Sequence, residues 1–133
     1  MKLTVKSEYA LLALVHIARQ KTIKAVSAKA IAETMSIPPK FLEQILLSLK
    51  RGGFVTSIKG SQGGYYLAKP AKKINVGEIV RLFDGALAPT ESVSKYFYRE
   101  TPISKEKNLL RLFSKVRNYV SNLLEKTTIN DLI

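Results

Sequence analysis

Lys40, Gln44 and Arg51 are the side chains whose types and spacing could do chemistry in this sequence. At 100° per residue they share one side of a helix, opposite Leu42, Ile45, Leu46 and Leu49, with Phe41 and Ser48 at one edge. A glutamine carboxamide pairs bidentately with adenine, and a lysine or arginine reaches guanine O6/N7 or a phosphate. The chemistry on offer is non-covalent recognition of a polyanion. Glu43 lies within the same stretch, where a carboxylate repels phosphate; its expected role is to orient a neighbouring basic side chain, with acceptance from cytosine N4 as the alternative. Bond-making chemistry finds no support. The chain has no cysteine and a single histidine, His16, set in an apolar run where packing is the ordinary role. No Ser/His/acid grouping, phosphate loop or metal-ligand spacing occurs, so neither an enzyme, a metal site nor a cofactor is expected.

Charge agrees with that reading. The 133 residues carry 22 Lys and Arg against 10 Asp and Glu, a net charge of +12, which favours a polyanionic partner. Residues 1–82 hold +10 of it and residues 83–133 only +2, so the polyanion-facing part is N-terminal. The longest apolar run, Tyr9–Ile17, is too short to span a bilayer, and the start lacks a signal-peptide pattern; a soluble, cytoplasmic protein is expected.

The elements that must position these residues follow from periodicity and punctuation. Ser7–Gln20 is apolar on nearly every face, which a helix tolerates only when surrounded. Ser27 caps a short helix, Ala28–Met35, and can also present its first amides to a phosphate. Ser36-Ile37 breaks the chain tightly, and Pro38-Pro39 suit the first turn of the Lys40–Arg51 helix, which Gly52-Gly53 ends in a left-handed conformation. Phe54–Ile58 and Tyr65–Ala68 read as strands of a hairpin whose tip, Lys59 to Gly64, sets Lys59, Ser61 and Gln62 against a minor groove or backbone. After the basic linker Lys69–Lys73, Asn75 and Glu78 form a capping box, with Ile74 and Ile79 as its staple, for a helix from Val76 to Phe83. Ala86–Ser104 reads as a loop carrying the aromatic run Tyr96-Phe97-Tyr98, expected to pack against a neighbouring subunit rather than to build a ligand pocket. From Lys105 to Lys126 the positions Leu109, Phe113, Val116, Val120 and Leu123 alternate spacings of four and three, with Leu112 and Tyr119 widening the band. Such a helix wants a partner.

Two short helices joined by a tight turn and followed by a glycine-tipped hairpin specify a mainly α fold with a small β wing. It is a winged helix-turn-helix over 1–85, followed over 86–133 by a connecting loop and a dimerisation helix. The segments LTVKSEYALLAL, FLEQILLSLKRGGFVTSIKGSQGGYYLA, INVGEIVRLFDG and TTINDL together resemble the Rrf2 (Rrf-two) family of bacterial transcriptional regulators across essentially the whole chain. The resemblance implies DNA contact by Lys40, Phe41 and Gln44, and a wing lysine, Lys59, where arginine is usual. It also implies a homodimer built on the C-terminal helix and assisted by the first. Cluster-binding members carry three cysteines in the segment corresponding to Leu87–Thr101, and this sequence has none. What remains is a cysteine-free type similar to the cysteine-metabolism repressor. The expected function is sequence-specific binding of double-stranded DNA at near-palindromic operators, with repression the usual sign and any effector or partner protein undefined. A winged helix serving protein–protein interaction and an architectural DNA binder both stay open at this point.

Overall fold

The structure is a computed structural model describing residues 1–20 and 24–133. Among the described residues, five α-helices and one hairpin follow in the order α1 (Val5–Ala18), α2 (Ala28–Met35), α3 (Pro39–Arg51), β1 (Val55–Ile58), β2 (Gly64–Leu67), α4 (Val76–Asp84) and α5 (Lys107–Lys126). Short 3-10 turns sit at Ala71–Lys73, Glu91–Val93 and Ile129–Leu132. No helix among the described residues is long and apolar enough to cross a membrane.

Helix α1 is the hub, packing against α2, α3, α4, β2 and the C-terminal turn. Ala10, Ala13, Leu14 and Ile17 are buried along it, while Tyr9, Leu11 and Val15 cover its flanks. Its two small alanines let neighbouring backbones come close, and its apolar girth is what those neighbours cover. Its start is tied down by polar contacts. Thr4 accepts from the Ser7 amide, and the backbone and hydroxyl of Thr4 and the hydroxyl of buried Ser7 all donate to the Asp84 carboxylate at the end of α4. That carboxylate also lies where the α1 dipole is positive.

The helix-turn-helix has a local explanation at each joint. Ser27 accepts from the Ala30 amide at 3.1 Å and caps α2. Ser36 ends α2 at φ 55°, in the left-handed region, and Ile37 then plugs the core. Helix α3 stops in a Schellman arrangement: the Phe54 amide donates to Leu49 O and the Gly53 amide to Lys50 O. The left-handed residue is Gly53 (φ 81°), whereas Gly52 keeps right-handed helical angles. Leu49 and Phe54, brought together by that turn, are both buried.

Strands β1 and β2 pair antiparallel from Val55↔Leu67 to Ile58↔Gly64. Val26 bridges Tyr65 on the other side of β2, exchanging hydrogen bonds at 2.8 and 2.7 Å. The capping box at Asn75 and Glu78 forms, and both members of its staple, Ile74 and Ile79, are fully buried.

The last residues return to the core. Thr128 bridges Asn75, Thr128 and Asp131 form a second capping box, and Ile129 is fully buried beside α1 and Ile74. Periodicity gives no hint of this return, because the seven residues after α5 are too few to show one. Ile129→Ala should lower the unfolding free energy by about 2–5 kcal/mol in urea denaturation at fixed protein concentration. Leu132→Ala, at an exposed position of the same turn, should cost within about 0.5 kcal/mol.

Candidate nucleic-acid interface

Four apolar side chains of α3, Leu42, Ile45, Leu46 and Leu49, are buried, so its opposite face is held to solvent. Lys40, Glu43, Gln44, Leu47 and Arg51 are exposed on it. None of its charged groups is in an ion pair among the described residues; the pairs there are Arg81–Glu125 and Arg99–Glu91. The expected orienting role for Glu43 is therefore corrected. It is in no ion pair among the described residues and lines, with Lys29, Glu33 and Pro39, a groove between α2 and α3. Lys50 is withdrawn from the exposed face, its ammonium 2.7 Å from Ser57 Oγ, which ties the end of α3 to the wing.

Phe41 is half-buried and packs edge-on against Tyr9, ring centroids 5.5 Å apart at 80°. Most of the ring holds α3 to α1, and its remaining edge borders a cleft that also contains Gln44.

The wing tip carries exposed Lys59, Ser61 and Gln62. Its glycines answer to space. A Cβ on Gly63 would lie 2.2 Å from Ile58 O, and one on Gly64 would lie 2.4 Å from Val26 O. The second clash is with the Val26 bridge, so the close approach that seats the wing on the segment before α2 needs glycine. One consequence was not visible in the sequence. Ser27, Ala30, Gln20 and Lys24 line one open cleft of about 390 Å³ with Ser61, Gln62 and Gly63. The start of α2 and the wing tip thus form one surface. Lys24 joins the candidates here, and the pairing of Val26 with Tyr65, 39 positions apart in the chain, is what could not be foreseen.

Helix α5 divides its apolar residues between two tasks. Phe113, Val120 and Leu124 are half-buried and Ser121 is buried. Leu109, Val116 and Leu123 are exposed, as are Leu112 (52%) and Tyr119 (76%). At 100° per residue these five span roughly 80° of the helix, bordered by Phe113 and Val120. The run Tyr96-Phe97-Tyr98 is exposed as well, with Arg81 4.9 Å above the Tyr96 ring. The cavity at its base, lined by Arg81, Leu87, Ser94 and Arg117, is about 10 Å³, the space of one water. No small-molecule pocket is formed there.

A helix-turn-helix seated on a central helix and followed by a glycine-tipped wing defines the winged helix-turn-helix class of transcriptional regulators. Residues 3–133 match the Rrf2 family, described as iron-dependent transcriptional regulators, and the chain belongs to it. It is 32% identical to the HTH-type transcriptional regulator CymR of Bacillus subtilis over 132 residues, covering 99% of this chain and 89% of that protein. The solved structure of the B. subtilis CymR, the global cysteine regulator, superposes with a TM-score of 0.86 at 30% identity, over 99% of this chain and 95% of that one. The T. potens IscR structure gives 0.75 at 28% identity, over 99% and 85%. Iron does not fit the donor set here: there is no cysteine, and no group of three or more His, Asp or Glu converges among the described residues.

Gly64→Ala should displace the wing from Val26. Hydrogen exchange should show the Val26 and Tyr65 amides losing protection, and thermal unfolding should report a loss of about 1–3 kcal/mol. Ser61→Ala, at the exposed tip, should stay within about 0.5 kcal/mol of the parent.

Proposed function

We propose that this chain is a homodimeric repressor that reads near-palindromic DNA without an iron–sulfur cluster. The observation that carries the reading is the exposed face of α3, joined by a groove to α2, whose start forms one surface with the wing tip. It is basic, free of internal ion pairs among the described residues, and faces away from the core. In this reading α3 enters the major groove, where Gln44 reads adenine and Lys40 reaches guanine or phosphate. Arg51 grips backbone at the far end of the helix. Ser27 offers the capped start of α2 to a phosphate, and Phe41 keeps α3 at its angle while touching DNA with its free edge. Lys59, Ser61 and Gln62 lie along the minor groove. Lysine in place of arginine keeps the charge at the wing but gives up a planar, forked donor, so the wing contributes affinity more than base discrimination.

The dimer is supported by the exposed band of α5. Leu109, Leu112, Val116, Tyr119 and Leu123, with the free edges of Phe113 and Val120, form a seam along a helix about 30 Å long. Two such seams, packed together, would fix the separation of two reading heads. Half-site spacing would then be a property of α5, and a signal that shifts the paired helices would change affinity by changing register.

The test of the reading is recovery of bound fragments from random and genomic DNA by the purified protein at low and physiological salt. A near-palindrome that survives physiological salt is expected. Binding without sequence preference would favour an architectural role, and weak, sequence-blind association a protein-interaction module. On the recovered site, Gln44→Ala should cost about 1–3 kcal/mol and relax preference at one position of each half-site, whereas Lys59→Ala should weaken all sequences alike. Gln44→Ala binding as the parent does would remove α3 from the major groove. Leu112→Glu with Leu123→Glu should convert the protein to monomer in sedimentation velocity and abolish cooperative binding to the palindrome.

A further inference from the structure

A second cleft lies on the opposite side of α3 from the α2 groove. Its volume is about 200 Å³, and it is lined by Lys6, Phe41, Gln44, Ser48, Leu82 and Phe83. The polar rim, Lys6, Gln44 and Ser48, comes from two helices whose relative position is fixed. Lys6 precedes Tyr9 by one turn on α1, and Gln44 follows Phe41 by one turn on α3; the Tyr9–Phe41 contact clamps the two turns together. The start of α1 cannot swing, because Thr4 and Ser7 on either side of Lys6 are bonded to Asp84. Those same bonds occupy the Asp84 carboxylate, and Lys6 is in no ion pair among the described residues. An exposed, unpaired ammonium is thus held beside the carboxamide assigned to base reading.

We infer that Lys6 is a DNA-contact residue. It neutralises a backbone phosphate flanking the base pair read by Gln44, and so α1 sets the register of α3 along the groove. The inference rests on the DNA-binding reading proposed above. A glutamine at a base edge brings the phosphates of the groove wall within reach of a neighbouring lysine stem, and a contact of this kind positions without reading sequence.

The experiment is a salt titration of binding to the recovered palindrome and to unrelated duplex, for the parent, Lys6→Gln, Lys6→Arg and Lys2→Gln. Lys2 is exposed on the same terminal segment but does not line the cleft. Lys6→Gln should reduce the slope of log K against log salt by about 0.9 per protomer and weaken binding about five-fold per protomer at about 0.15 M salt. The ratio of palindrome to unrelated affinity should not change. Lys6→Arg should restore the slope, and Lys2→Gln should keep it. An unchanged slope in Lys6→Gln, with parent-like unfolding, overturns the inference while leaving the DNA-binding reading standing. So does a relaxed sequence preference at constant slope, which would make Lys6 a base reader. A parent with no salt-dependent, sequence-selective binding removes the reading itself and this inference with it.

Discussion

A fourteen-residue helix with apolar side chains on nearly every face has to be surrounded, and the rest of this molecule is arranged to surround α1. The helix-turn-helix covers one side, α4 another, and the wing and the returning tail close the remainder. The start of a helix leaves amides without partners inside it. Thr4, buried Ser7 and the half-buried Asp84 carboxylate meet that need with mutual hydrogen bonds. The same bonds pin α4 to α1, so α4 cannot slide without exposing charge and hydroxyls together.

This central packing holds the helix-turn-helix and the wing in one arrangement. Helix α3 is fixed by its buried leucine and isoleucine stripe, by Phe41 on Tyr9, and by Lys50 on Ser57. The wing is fixed by Gly64 under Val26. From α4 the chain of contacts continues outward: Arg81 pairs with Glu125 of α5 and lies over Tyr96, and Arg117 donates to Val93 O at 2.6 Å. Arg81 therefore touches both α5 and the loop that precedes it. Any movement of α5 relative to α4 has to break or re-form that arginine's contacts, which link α4 to α5 and to the loop before it.

The family's description as iron-dependent meets a chain without cysteine, in which no group of three or more His, Asp or Glu converges among the described residues. The loop that precedes α5 is instead held by hydroxyls and arginines: Thr90, Ser92 and Thr101 bond one another, Ser94 accepts from the Phe97 amide, and Arg99 pairs with Glu91. A loop ordered by its own hydrogen bonds can keep its shape without a metal. Its aromatic run stays outside, available to a neighbouring surface.

Much of this was legible in the chain itself. The bounds of α2 and α3, the caps at Ser27 and Asn75, the staple of Ile74 and Ile79, the hairpin and the long α5 all arise from local preferences and from periodicity, which neighbouring residues encode. The exposed face of α3 was legible for the same reason, since burying one stripe leaves the opposite one outside. What tertiary structure alone decided are contacts between residues far apart in sequence: Val26 on Tyr65, Ile129 beneath α1, Asp84 at Thr4 and Ser7, and Lys6 beside Gln44. It also left Glu43 without an ion pair among the described residues and put Phe41 edge-on against Tyr9. Periodicity records which side of an element is apolar, because that depends on nearby residues. It carries no record of which distant element will cover that side, because many partners would bury the same area and only the closed fold selects among them.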